Sequence, residues 1–598
     1  MKLSKAALLA AWLLVLGTGI LYYPRWEKTG TEATLSWDVF GYYLYLPATV
    51  IYGDLPQLGF RDKVLRKYQP TPDFQQAYQH PSGNYVIKYP AGQAVLMAPF
   101  FLAGHYIAKK TTYLNDGFSY PYQACIGIGM LFYACLGLWV LRKILLRYFD
   151  EGATGLTLLT VAFATNYLNY AAIDGAMTHN TLFTLYALLV WTTIRFYEAP
   201  SLLRAVLIGA LVGLNTLTRP TELLSVVLPL FWGIGSLPGL RERIGFFRTH
   251  YRYLIAAAIP LVSIGSLQLL YWHHVTGSWL VYSYEEGFDW TSPHWWDGWF
   301  SVKSGWLIYS PAMGLAVIGF VFLYRRHRTL FPAVLLFSLV FVYLCTAWQN
   351  WWYGGSLGIR AMVQAYAVLS LPLAAFFQWL LQRPFAWRAV TGALLLFCTV
   401  YNGWLTHQAH AGGLLRPGEM TPDYLRAIFL RNQVQPEAQF LLDNPHVLLQ
   451  PPVASTEIFR HDFDADTTTS TTSQPAIRGR SAFVNGPQQF TPELNFYPPA
   501  ERGRARWLRA SALFYAPEKE WTTWRMCQFV MKFYNGEHLV QSNMIRVFRT
   551  LEAGETRRLH LDARIPEDVF DRVAVFLWNA GSERLVLMDE LKVWMLED

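Results

Sequence analysis

Apolar stretches of roughly 17–22 residues recur along this chain up to about residue 404, and that length is what an α-helix needs to cross a hydrocarbon core. Of the 598 residues, 53% are hydrophobic and only 15% charged, where a soluble domain carries about a quarter charged residues. The formal charge of +8 is no nucleic-acid signature, because much of the Lys and Arg lies in short loops between apolar segments. Of the five cysteines, Cys125, Cys135, Cys345 and Cys398 sit inside apolar segments. Neither a disulfide framework nor a metal spacing emerges.

The first segment, 6–23, is read as a retained span, because no small-x-small cleavage site precedes Tyr22-Tyr23-Pro24-Arg25. Later spans read as 121–141, 154–171, 179–197, 202–218, 221–237, 253–271, 306–324, 329–346, 361–380 and 387–404. With the amino terminus in the cytoplasm, five successive inside loops are basic. They hold Arg142, Lys143 and Arg147; Arg195 and Arg204; Arg241, Arg243, Arg248 and Arg252; Arg325, Arg326 and Arg328; and Arg383 and Arg388. The opposite loops, 24–120, 272–305 and 347–360, are rich in Trp, Tyr, Asp and Glu. Segment 91–108 reads as an interfacial or partly re-entrant helix, since Gly92, Pro99 and Gly104 interrupt it and a further span would invert every later loop. Residues 40–52 read as an amphipathic stretch on the outer leaflet.

Beyond Trp404 the composition changes. Residues 405–453 read as a linker with a short helix from Pro422 to Asn432, and Thr467–Ser473 as an exposed loop. From about Ala454 to Asp598, apolar runs alternate with turns, as in Phe529–Tyr534 before Asn535-Gly536 and Val573–Trp578 before Asn579-Ala580-Gly581. These are strand and hairpin signals, and an all-β sandwich on the outer side fits them.

Chemistry concentrates in the aromatic loops. Asp38, in Ser36-Trp37-Asp38-Val39, is a carboxylate at the membrane surface, where ionised groups are costly and mark function. It is placed to act as general base toward a hydroxyl; the plain alternative is a helix cap at Val39. Arg219, in a very short turn, suits a phosphate clamp, an anchor at the interface, or a partner for Glu222. Asp174 and His179 are candidates for a metal or a sugar, or simply solvate a hairpin. Loops 271–306 and 348–360 place Trp and Tyr faces beside carboxylates and amides, as a polyhydroxylated ring requires. Tyr42, Tyr89, His179, Glu285 and Trp352 are the candidate sugar contacts.

Four elements together resemble the GT-C class of polytopic glycosyltransferases, especially protein mannosyltransferases and aminoarabinose transferases. They are the Trp-Asp of the first outer loop, Lys88-Tyr89-Pro90 opening an interfacial helix, Thr218-Arg219-Pro220, and the run from Trp352 through Gly354-Gly355-Ser356-Leu357-Gly358-Ile359 to Arg360. The resemblance covers about residues 1–404. It implies a polytopic α-helical membrane protein of about eleven transmembrane helices, with Asp38 as catalytic base and Lys88, Arg219 and Arg360 binding the donor phosphate. It further implies transfer of a sugar from a polyprenyl-phosphate donor to a glycan, lipid or protein acceptor on the outer face, with inversion. The expected location is a bacterial inner membrane. The sequence leaves open whether a divalent metal ion assists.

There are departures. Val39 follows Asp38 where many relatives have Asp-Glu, one proline follows the aromatic where many have two, and the loop has no Asp-x-Asp of oligosaccharyltransferase type. The carboxyl-terminal part resembles a jelly-roll, carbohydrate-binding-module-like sandwich. Two rival readings remain. A transporter or flippase of a lipid-linked saccharide needs a polar path through the spans, and a non-catalytic envelope assembly protein leaves the costly loop carboxylates unexplained.

Overall fold

The computed structural model describes residues 2–466, 468–499 and 504–597. The chain divides into two compact units, Met1–Gly418 and Glu419–Asp598.

The first unit is helical. Among the described residues, five helical segments are long and apolar enough to cross a membrane: Leu3–Glu27, Tyr120–Leu145, Tyr251–Thr276, Met362–Leu380 and Phe385–Ala409. Shorter apolar helices run Glu151–Phe163, Leu202–Thr218, Pro220–Phe231 and Phe331–Ala347. Met362–Leu380 is buried almost throughout, and Thr178–Glu198 packs beside it. Tyr251–Thr276 instead exposes Ile255, Ile259 and Val262, as a lipid-facing helix does.

Three expected spans are not continuous. The 154–171 helix ends at Phe163, and 306–324 divides into Trp306–Tyr309 and Gly314–Arg326 around Ser310-Pro311. The two breaks meet: Ser310 Oγ accepts from Asn166 N and donates to Asn166 Oδ1, both at 3.0 Å. Hydrogen bonds between the interruptions replace those each helix gives up. The 221–237 segment begins as a 3-10 turn, Pro220–Val226, and its α-helix stops at Phe231.

The expected helix at 91–108 forms as Gly92–Lys110, and residues 40–52 form two short helices, Trp37–Tyr43 and Tyr45–Val50. At one end of the bundle, Lys2 and Arg142 face Glu151, while Arg147 and Arg195 pair with Glu198. The Asp38 region gathers residues from connections on the other side of these helices.

The second unit is a two-sheet β structure over one apolar core that includes Phe514, Phe529, Phe533, Leu561, Val575 and Val593. One sheet orders its strands Thr556–Arg564, Trp507–Tyr515, Val586–Glu597, Ser481–Val484, Thr471–Thr472, with Ala454–His461 also pairing Val586–Glu597. The other orders Leu494–Phe496, Arg572–Trp578, Gln528–Asn535, His538–Arg546. All pairings are antiparallel. The stretch expected as a linker divides at Gly418, and 419–453 belongs to this unit with a helix at Pro422–Ile428. In the Thr/Ser tract, Thr467 lies outside the described residues, and Thr471-Thr472 pairs with Ser481 and Ala482.

Candidate active site

Asp38 does not cap its helix: the N-cap is Ser36, without a side-chain cap bond. Trp37, between them, has φ +51°, a left-handed conformation that costs a non-glycine residue about 1–3 kcal/mol. Its amide donates to Pro70 O at 3.0 Å and its carbonyl accepts from Gln76 Nε2 at 3.3 Å. The kink leaves the Trp37 ring half exposed and turns Asp38 inward. There Asp38 Oδ1 accepts from Tyr89 OH at 2.8 Å and Oδ2 from Arg360 Nη2 at 2.5 Å. Its side chain retains 25% accessibility, so it is walled by protein on most sides yet reachable. Burial alone pushes this carboxyl up. The Arg360 guanidinium, the Tyr89 hydroxyl and Lys88 outweigh burial and hold it below the usual carboxylate value.

Two glycines allow these segments to meet. A Cβ on Gly41 would lie 2.4 Å from the Tyr89 ring, and one on Gly92 would lie 2.3 Å from Thr218 N. The first lets Tyr89 lie against the Asp38 helix. The second presses the start of helix Gly92–Lys110 onto the end of Leu202–Thr218, bringing Lys88-Tyr89 and Arg219 to one place. Arg360 arrives on a loop that turns through positive φ at Tyr353, Gly354 and Gly358. That loop is pinned by Leu357 N donating to Tyr170 OH at 2.8 Å and Asn166 Nδ2 donating to Leu357 O at 2.9 Å.

Around Asp38, Tyr42 and Tyr89 have ring centroids 4.5 Å apart, and Tyr284 meets Tyr89 edge-on at 6.2 Å. Arg219 lies over the Tyr353 ring at 5.6 Å and within electrostatic reach of Tyr42 and Tyr284. Among the described residues it makes no ion pair or side-chain hydrogen bond, Glu222 included. Glu222 Oε1 instead accepts from Gln364 Nε2 at 2.6 Å and Oε2 from Tyr186 OH at 2.5 Å. Arg360 Nε is buried and has no partner among the described residues. One guanidinium with an unused donor therefore binds the aspartate and a second lies among the aromatic rings beside it, an arrangement that suits an anion.

The remaining candidates distribute as follows. His179 is buried, with Nδ1 2.8 Å from Gln364 Oε1 and the ring in electrostatic reach of Arg219 and Arg360. Asp174 goes to different partners: Arg25, Asn169 Nδ2 at 2.9 Å and His410 Nε2 at 3.7 Å. The two do not converge as a pair of ligands. Among the described residues, no group of three or more His, Cys, Asp or Glu could hold a metal ion. Trp352 is covered by Lys303 Nζ, 3.4 Å from the ring centroid. Glu285 is exposed, and its neighbour Glu286 faces Lys88 Nζ at 3.7 Å.

Sequence reasoning did not single out Tyr284, which is in electrostatic reach of Asp38, Glu286, which faces Lys88, or Tyr353, which lies under Arg219. In an extended segment, alternate residues share a side, so Tyr284 and Glu286 were available as a pair. A cavity of about 420 Å³, lined by Trp26, Lys28, Leu35, Lys67, Tyr68 and Tyr120 among others, opens elsewhere in the first loop and includes none of the Asp38 cluster.

No family model matches the chain, and no curated protein matches it. Among solved structures it is similar to the archaeal oligosaccharyltransferase AglB of Archaeoglobus fulgidus in complex with an inhibitory peptide and a dolichol-phosphate, with TM-score 0.38, 11% identity, and 71% of this chain and 57% of that one covered. The apo form of the Archaeoglobus fulgidus oligosaccharyltransferase gives TM-score 0.40 and 13% identity, with 71% and 57% covered. Arabinosyltransferase EmbB from Mycobacterium smegmatis gives 0.27 and 14%, with 84% and 64% covered. The chain thus spans a little over half the length of the oligosaccharyltransferases, 57%. Scores of this size leave the chemistry of the Asp38 cluster to its own residues.

Proposed function

We propose that this chain is a GT-C-class membrane glycosyltransferase that moves one sugar from a polyprenyl-phosphate carrier to an acceptor hydroxyl, with inversion. The observation that supports this most is a carboxylate, Asp38, bonded to one nitrogen of Arg360, while Arg360 Nε stays unpartnered and Arg219 makes no ion pair among the described residues. The acceptor oxygen attacks the anomeric carbon, the bond from that carbon to the phosphate oxygen breaks, and Asp38 takes the hydroxyl proton. The departing polyprenyl phosphate leaves as an anion facing Arg219 and Arg360, with Lys88 adding positive charge at the edge of the cluster.

A phosphate needs no proton in order to leave, so a single carboxylate suffices, unlike the usual pair in glycoside hydrolysis. The low basicity of Asp38 suits a reaction in which the bond to the leaving group stretches early and the attacking hydroxyl has become acidic before its proton moves. Donor phosphate drawing on Arg360 also weakens the counter-charge on Asp38 and raises its basicity when substrate is present. The basic loops support a cytoplasmic amino terminus, with the Asp38 cluster and the β unit on the periplasmic face of a bacterial inner membrane. Glycan, lipid and protein all qualify as acceptors.

The test is transfer of labelled sugar by the purified protein in lipid vesicles. Asp38→Asn should abolish transfer while binding of undecaprenyl phosphate persists. Near-normal transfer by that variant removes Asp38 from the mechanism.

A further inference from the structure

Glu286 Oε2 is buried and accepts no hydrogen bond among the described residues. Its nearest cation, Lys88 Nζ at 3.7 Å, is beyond hydrogen-bond distance. A buried acceptor left bare is costly, and in a native site its missing partner is commonly water or ligand. Lys88 Nζ also sits 5.5 Å from the Tyr284 ring centroid, and Tyr284 in turn meets Tyr89, the donor to Asp38. A chain of contacts therefore runs from Asp38 through Tyr89 and Tyr284 to Lys88 and Glu286. Tyr284 is also in electrostatic reach of Arg360, whose Nε is buried and unpartnered among the described residues, and of Arg219, without an ion pair among them.

The cluster thus holds unmet donors, an unmet acceptor and aromatic rings together. A ligand that answers all three has an anionic head, hydroxyl donors and an apolar ring face. A glycosyl phosphate has that combination of groups. We propose that Glu286 Oε2 accepts a hydrogen bond from a hydroxyl of the transferred sugar. Glu286 is a specificity-determining residue for the sugar, and the assignment rests on the donor proposed above.

The test compares ligands that differ only in the sugar. Binding of undecaprenyl phosphate, and of the same lipid phosphate carrying mannose, glucose or arabinose, is measured on the full chain in nanodiscs. At least one glycosylated lipid should bind more tightly than the bare one. Glu286→Gln should cost that ligand about tenfold in affinity while changing the bare lipid by less than about twofold. Glu286→Asp, which keeps the charge opposite Lys88 but withdraws it by one methylene, should show the same selective loss. Equal weakening of both ligands would mean that Glu286 only positions Lys88, and it overturns the inference. So does a wild-type protein that binds no glycosylated lipid better than the bare one, although the phosphate site then stands. If the wild type binds neither, the donor reading itself fails and takes this inference with it.

Discussion

Both units of the molecule hold buried aspartate–arginine pairs, and the pairs differ in what they leave unspent. In the β unit, Asp443 is wholly buried, and Arg549 Nη2 at 2.9 Å and Arg546 N at 3.0 Å are among its several donors. Asp562 takes a two-pronged Arg509, at 2.6 and 2.8 Å, and Leu448 N at 2.9 Å. Arg546 Nε is left over there, yet the carboxylate it faces is saturated. In the helical unit, Asp38 has, among the described residues, only Tyr89 and one nitrogen of Arg360, and its side chain stays 25% accessible. A saturated pair holds segments together, whereas an unsaturated one has capacity for a substrate. Asp174 lies between the two cases: Arg25 and Asn169 give it no more hydrogen bonds than Asp38 has, but His410 stands 3.7 Å away and its side chain is less accessible, at 18%.

The largest effect that tests this contrast is on the reaction. Asp38→Asn should cut transfer by at least about a thousandfold, the upper range for a lost general base, with thermal stability little changed. A variant that unfolds instead would move Asp38 into the structural class with Asp443. Asp443→Asn should do the reverse. Leaving Arg546 and Arg549 facing a neutral amide costs about 3 kcal/mol, read as a lower unfolding temperature and faster protease cleavage within 419–598. The surviving folded protein should keep its transfer rate per molecule. Loss of transfer without loss of stability would break the comparison from the other side.

Arg219→Gln comes next. It has no ion pair to lose among the described residues, so stability should hold while half-saturation by the lipid donor rises by roughly 10–50-fold, as loss of a charge-assisted phosphate contact implies. An unchanged donor saturation curve would show that Arg219 does not meet the phosphate.

Much of this site was legible because charge beside aromatic rings at a membrane surface is expensive and therefore conspicuous. Asp38, Lys88, Arg219 and Arg360 stand out in that way, although they reach one another only through the fold, with Arg360 lying 322 positions from Asp38. The helix Leu202–Thr218 matches its apolar run to the residue, because local signals bound that run: Ser201 caps its start and Arg219-Pro220 follows its end. The interruptions at Phe163 and Ser310 carried local signals, Thr165-Asn166 and Ser310-Pro311, that the apolar length around them masked; the bond between Asn166 and Ser310 is what no local pattern encodes. The same holds for Arg25, Asp174 and His410, three residues from distant segments whose pairing exists only in three dimensions. Glu286 rather than Glu285 was available from its alternation with Tyr284, but two adjacent glutamates in an aromatic loop gave no local reason to weigh that alternation.

The smallest effect is the most diagnostic, because it asks how Asp38 is held rather than whether it matters. The base must be ionised to take a proton. Its carboxyl is held below the usual carboxylate value, against burial, by Arg360 and by the Tyr89 hydroxyl. The active form therefore exists above that depressed value and is lost as pH falls through it, and the acid limb of kcat/KM reports the free enzyme. Tyr89→Phe removes one hydrogen bond to the carboxylate, so the limb should move to higher pH while the rate at neutral pH falls only by about fivefold, the worth of one such bond. Arg360→Gln removes the larger opposing influence and should move the limb farther in the same direction. If both variants keep the wild-type limb, some other group limits the reaction at low pH. If Tyr89→Phe moves it farther than Arg360→Gln, the guanidinium has already left the carboxylate in the working enzyme, and the unsaturated pair described here belongs to the resting state alone.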